Sequence, residues 1–160
     1  MGIFFSGSEL IDVAVGIERN GAVFYDSLAN STKDSAIRGI YKDLADRERE
    51  HIEIFQDMRG SAGDYQPQET YTEEYESYLK ALIDSNVFKD TNTATEMAAK
   101  VNSDLEAIQI GLGAEKDSIL FYIEMRDMIR RSERDVVSKV IEEEKSHVRQ
   151  LMDLRKSLTK

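Results

Sequence analysis

The chain carries two histidines, His51 and His147, and each follows a glutamate by three positions, Glu48 and Glu144. On a helix, residues three apart share a face, so each Glu-x-x-His pair presents an oxygen and a nitrogen to one point. Of two further glutamates, Glu115 interrupts an apolar stripe and Glu18 borders the inner face. Glu115 stands between Leu112 and Ile119, and Glu18 adjoins Ile17, four residues after Ala14. Ionised carboxylates in a core are costly, and four together also repel one another. No matching set of core-spaced Arg or Lys is present; only Arg126 comes near such a position. Two divalent cations would cancel the charge of Glu18, Glu48, Glu115 and Glu144, with His51 and His147 neutral. The expected pair is two Fe ions, although the same oxygen and nitrogen donors accept Mn or a mixed pair. If the four carboxylates simply repel, Glu115→Gln should stabilise the metal-free protein.

Tyr25 and Tyr122 each lie seven residues after one of these glutamates, about 10 Å farther along the same face. From there their hydroxyls are candidates to orient carboxylates on facing helices, the alternative being plain core packing. Glycines 16, 21, 111 and 113 flank Glu18 and Glu115. Each costs about 1 kcal/mol inside a helix, so close approach of neighbours is expected there. Glu50, Glu53, Glu73, Glu74 and Glu142 read as solvated faces.

Helices must position these residues. One proline and little strand-like alternation point to an all-α chain. Four long segments carry apolar residues at helical spacing, at about 8–30, 32–59, 104–130 and 133–158. Their stripes include Leu10, Ala14, Phe24 and Leu28; Ile37, Tyr41, Leu44, Phe55 and Met58; Leu105, Ile108, Leu112 and Tyr122; and Val137, Val140, Leu151, Leu154 and Leu158. Ser31-x-x-Asp34 and Ser132-x-x-Asp135 resemble capping boxes that would start the second and fourth segments. The connection 60–103 opens with a turn-rich stretch, Gly60-Ser61-Ala62-Gly63-Asp64, then Pro67, and predicts a helix near 71–85 with a shorter one near Thr93–Val101.

Short links within each hairpin and one long crossover make a ferritin-like antiparallel four-helix bundle, here a single domain over 1–160. The halves repeat. Glu18 to Glu48 is 30 residues and Glu115 to Glu144 is 29, so each half is a helical hairpin with the same polar residues at the same depth.

Composition narrows the function. The net charge of -10, with no dense basic cluster, disfavours nucleic acid. No apolar run reaches the roughly 20 residues of a membrane span. Absence of cysteine removes disulfides and thiolate metal centres, and fits a cytoplasmic protein. Gly2 with Ser6 matches a loose myristoylation pattern, but Ile3, Phe4 and Phe5 read better as a hydrophobic arm capping the bundle or a partner subunit.

Glu18-x6-Tyr25, Glu48-x-x-His51, Glu144-x-x-His147 and the stretch Glu115–Tyr122 together resemble the rubrerythrin-like branch of the ferritin-like di-iron carboxylate proteins. The resemblance covers all four long helices. It implies a di-iron oxidoreductase that reduces hydrogen peroxide, or reacts with dioxygen, in defence against oxidative stress, and that is commonly a homodimer. Rubrerythrins pass electrons through a rubredoxin-type centre. That domain is missing here, so the electrons would come from an external donor protein. Ser118 also stands where rubrerythrins carry an extra glutamate. An iron-binding or ferroxidase protein, a di-manganese protein of the catalase type, and a metal-free binding bundle are the alternatives.

Overall fold

The computed structural model describes residues 5–62 and 72–160. The Gly2 pattern, Ile3 and Phe4 of the expected arm, the turn residues Gly63 and Asp64, Pro67 and the first residue of the expected crossover helix lie outside these ranges. Among the described residues six helices follow in order: α1 (Gly7–Ser31), α2 (Ser35–Ala62, which runs on through Gly60 and Ser61 where a turn is expected), α3 (Glu73–Asp84), α4 (Thr91–Lys100), α5 (Asp104–Asp127) and α6 (Arg131–Leu158). Helix α1 packs along α2 and α5 along α6, forming two hairpins joined by the α3–α4 crossover. The fold is the ferritin-like four-helix bundle, with no strand among the described residues.

Local chemistry sets the helix starts, and it corrects two expectations. Ser6 opens α1 with a full capping box: its hydroxyl accepts from the Glu9 N–H (3.2 Å), and its own N–H donates to Glu9 Oε2 (2.9 Å). Asp90 and Ser103 cap α4 and α5 by accepting from the N–H groups of Thr93 and Glu106. Ser31, expected to begin α2, instead ends α1, its hydroxyl donating back to the Ser27 carbonyl (3.1 Å). The cap of α2 is Asp34, whose Oδ1 accepts from Ala36 and Ile37 N–H. A carboxylate one residue before the helix outcompetes the distant hydroxyl for these orphan donors. Ser132 lies within the first turn of α6, which begins after Arg130 with no side-chain cap. Buried Met128 and Ile129 anchor that turn, so packing rather than capping fixes it. Leu105 and Leu158, assigned to the stripes, are 41% and 37% exposed. Each stands in a terminal turn, where the stripe has run past its partners.

The buried side chains form two hydrophobic clusters. One gathers Leu10, Phe55, Phe121, Met125 and Val140 with Leu79 of α3. The other gathers Phe24, Leu44, Ile108 and Leu151 with Phe88, Ala94 and Ala98 of the crossover. The crossover therefore covers its own bundle. Each buried Leu or Phe contributes about 1.5–3 kcal/mol, so the clusters supply most of the drive to fold. Between them lies a layer of buried polar side chains: Glu18, Glu48, His51, Glu115, Glu144 and His147. No helix among the described residues is long and apolar enough to cross a membrane.

Candidate metal centre

Each polar residue of the layer is delivered by a helix whose flanking positions are pinned in one of the two clusters. Leu44 and Phe55 hold Glu48 and His51 at middle depth on α2, and Val140 and Leu151 do the same for Glu144 and His147 on α6. All six expected residues meet. Their donor atoms form two groups within which every atom lies no more than 4.8 Å from the others. Glu18, Glu48, His51 and Glu144 make one group, and Glu48, Glu115, Glu144 and His147 make the other. Glu48 and Glu144 belong to both, a sharing the spacing alone did not disclose.

Both histidines turn Nδ1 into the layer. His51 Nδ1 lies 2.8 Å from Glu144 and 3.4 Å from Glu18. His147 Nδ1 lies 3.2 Å from both Glu48 and Glu144 and 3.5 Å from Glu115. The two rings stack with centroids 5.8 Å apart. His51 Nε2 meets Glu143 at 2.8 Å, which fixes the ring and leaves Nδ1 for the interior. Glu143 was missed in the sequence because it sits in the acidic run Glu142–Glu144 and is half-exposed. Its only signal is that it stands beside Glu144 on a helix that presents ligands.

The tyrosines do reach across the bundle. Tyr25 of α1 donates to Glu115 Oε1 of α5 at 2.6 Å, and Tyr122 of α5 donates to Glu18 of α1. Each half thus orients a carboxylate of the other half. Three of the glycines prove to be clearances, Gly113 among them with a Cβ that would stand 3.3 Å from Val87 Cγ2. A Cβ on Gly21 would stand 3.0 Å from Glu48 Oε2, and one on Gly111 would stand 3.1 Å from the Tyr25 hydroxyl. Gly16 faces open space.

Four buried atoms of the layer, Glu18 Oε2, Glu48 Oε1, Glu144 Oε1 and His51 Nδ1, make no regular hydrogen bond and face only one another and His147 Nδ1. Buried polar atoms are ordinarily satisfied, and these converge on one another with no buried Arg or Lys among the described residues. Oxygen and nitrogen donors so arranged fit divalent cations.

The four carboxylates are not electrostatically equal, which corrects the picture of simple repulsion. Burial opposes ionisation of Glu18, but hydrogen bonds with Glu48 and His51, the His51 charge and the Tyr122 hydroxyl outweigh it and hold its pKa below the usual value. Glu115 is lowered likewise, against burial, by Glu144, His147 and Tyr25. Burial first, then the neighbouring carboxylates, pushes Glu48 and Glu144 well up. Burial would lower His51, yet Glu18, Glu48 and Glu143 drive it up to about 9. His147 is raised by Glu115, Glu144 and Glu48 over the same opposing effect. Without metal these shifts favour a charged Glu18 facing His51 and a charged Glu115 facing His147, and they favour the protonated forms of Glu48 and Glu144.

A small cavity of about 20 Å³ adjoins the layer on the side of Glu48 and Glu115, between α1, α5 and the α3–α4 loop. Neither histidine lines it.

Residues 9–155 match the sequence model of the rubrerythrin family. A candidate ferritin-like diiron-carboxylate protein from Thermotoga maritima is similar in structure, with a TM-score of 0.71, 28% identity and 98% of each chain covered. A hypothetical protein from Pyrococcus furiosus shares the fold, with a TM-score of 0.67, 18% identity, 97% of this chain and 91% of that chain covered. No curated protein matches the chain.

Proposed function

Because the chain belongs to the rubrerythrin family, we propose that it is a non-haem di-iron carboxylate oxidoreductase acting on hydrogen peroxide or dioxygen. The observation that carries this reading is the pair of four-residue groups sharing Glu48 and Glu144, whose buried oxygen and nitrogen atoms converge and face only one another. Glu18 and His51 would hold one ion, Glu115 and His147 the other, and Glu48 and Glu144 both. When bound, such a pair supplies two electrons at neighbouring positions to an O–O bond.

The chain's own residues do the rest. Glu143 holds His51 by Nε2 so that Nδ1 faces inward. Tyr25 and Tyr122 keep one oxygen each of Glu115 and Glu18 occupied and so set their orientation. The hydrophobic clusters above and below the layer exclude bulk water, which strengthens every charge interaction inside it. In this reading electrons reach the site from a donor outside the bundle, which itself has no cysteine for a thiolate iron centre. The working form in this reading is a cytoplasmic homodimer.

The test has two steps. Elemental analysis of protein purified without added metal should find iron, near two ions per chain, and separates iron from manganese. Anaerobic diferrous protein mixed with hydrogen peroxide should then oxidise rapidly. Ferrous protein that survives excess peroxide and dioxygen unchanged would overturn the reading.

A further inference from the structure

An ion bound in the layer has to reach it, and the walls around the layer differ. Hydrophobic clusters close it above and below. Helices α1 and α2 pack closely along their length, as do α5 and α6. Between α2 and α6, Glu143 closes over Nε2 of the fully buried His51. The side between α1 and α5 instead holds the cavity of about 20 Å³. Its lining runs from partly exposed Ala114, Asp117, Asn86 and Val87 to buried Glu115 and Glu48. One space therefore joins the surface to Glu48, the carboxylate that both donor groups include.

The opening has a fixed shape. Val87 N–H donates to Asp117 Oδ2 of α5 (3.1 Å), and Asn20 Nδ2 of α1 donates to the Phe88 carbonyl (3.3 Å). Phe88 in turn packs on Phe24, with ring centroids 4.7 Å apart. Its chemistry suits a cation in passage. No Lys, Arg or His lines it. Three lining donors are turned away from it: Tyr25 to Glu115, Ser118 to the Ala114 carbonyl and Asn20 to the Phe88 carbonyl. Asp117 sets a carboxylate at the partly exposed end, and Asn86 Oδ1 is buried without a hydrogen-bond partner. One water needs roughly 10–15 Å³, so a hydrated ion cannot pass whole. It must exchange water for protein oxygens, without which its burial is costly. A cleft lined by one sign of charge also concentrates ions of the other sign at its mouth.

We propose that this opening is the route by which divalent metal ions enter the folded bundle, Asp117 capturing the hydrated ion and Asn86 replacing a lost water on the way to Glu48 and Glu115. This rests on the metal-binding reading above and adds how the centre is filled. Asp117 and Asn86 act in transit and are not ligands, since neither belongs to a donor group.

Uptake of Co²⁺ by the metal-free full chain, followed by its visible absorption, tests the route without redox turnover. The wild-type rate should rise in proportion to Co²⁺ concentration and should not respond to urea below the unfolding transition. Asp117→Asn, which keeps an oxygen for Val87 N–H, and Asn86→Leu, which removes the amide oxygen, should each slow uptake about tenfold. Release to a chelator should slow by the same factor, leaving the dissociation constant within about threefold, because a group that lowers only the barrier acts equally on entry and exit. If Asn86→Leu does not fold, Asp117→Asn decides. Unchanged uptake in the folded variants overturns the route, as does slower uptake with unchanged release, which marks a residue that holds the bound ion. A wild-type rate that levels off with Co²⁺ and climbs with urea overturns it too, since metal then enters by separation of the hairpins. Wild-type protein that takes up no Co²⁺ overturns the metal-binding reading itself.

Discussion

Single side chains divide the labour of the layer unevenly, and substitutions should expose the division. Burial and the neighbouring carboxylates favour the protonated form of Glu144 in the metal-free protein, so Glu144→Gln, a neutral isostere, should change metal-free stability by less than about 1 kcal/mol. Glu115 is ionised against His147, so Glu115→Gln should instead cost about 2–4 kcal/mol by stranding a buried imidazolium. Both variants should lose the stabilisation that metal confers by binding the native state. Denaturant titrations with and without Fe²⁺ check this, and equal metal-free losses for the two would show that the layer is not divided as described. Tyr25→Phe removes a hydrogen bond to a charged acceptor and should cost about 1.5–3 kcal/mol without metal, with metal content unchanged. Five of the six candidate ligands were legible because each breaks an apolar stripe, which favours a compensated charge, and Glu18 because it borders the stripe at the depth of the others. Glu143 was not, because its partner His51 comes from another helix and Glu143 itself does not depart from what an exposed helix face displays.

At the scale of elements, glycines show where helices yield to the site. Gly16→Ala meets nothing within 4 Å and should gain up to about 1 kcal/mol from helix propensity. Gly21→Ala earns the same propensity, but its methyl group would press on Glu48 Oε2. The end of a flexible side chain can shift in the metal-free protein, so there the net effect should be small. A ligand shared by both donor groups cannot shift freely, so metal affinity should drop at least tenfold. Thermal melts with and without metal separate the two variants. The long helices themselves were readable from period and length, because a stripe of Leu10, Ala14, Phe24 and Leu28 admits little else. Their ends were less so. The capping pattern Ser-x-x-Asp also occurs where tertiary packing places the turn, as at Ser132, while the box that does form, Ser6 with Glu9, precedes α1 where no boundary signal had been weighed. The crossover helices were visible as segments, but what they cover was not, since Leu79 and Phe88 find their partners in distant sequence.

For the molecule as a whole, the ionisation pattern couples stability to pH in a definite direction. His51 is raised to about 9, so its contribution to metal-free stability is complete below about pH 6.5 and is lost as pH rises through 9. Raised Glu48 and Glu144 act in the same sense, while depressed Glu18 and Glu115 contribute above their usual 4.5 and lose that contribution in acid. Metal-free protein should therefore melt highest in the weakly acid range and progressively lower toward pH 9, as calorimetry across pH would show. Binding two divalent ions near neutral pH should expel up to four protons, one each from Glu48, Glu144, His51 and His147. Titration calorimetry in buffers of different ionisation enthalpy measures that number, and release of fewer than two would contradict the pattern. The polar layer also governs how the molecule comes apart. One donor group draws on α1, α2 and α6 and the other on α2, α5 and α6, so each joins both hairpins. With metal bound, neither hairpin can open alone, and slow amide exchange in α1, α2, α5 and α6 should collapse onto a single global opening. Without it, a seam of buried carboxyl groups and imidazoles divides the core, and the α1–α2 and α5–α6 hairpins should exchange their amides as separate cooperative units.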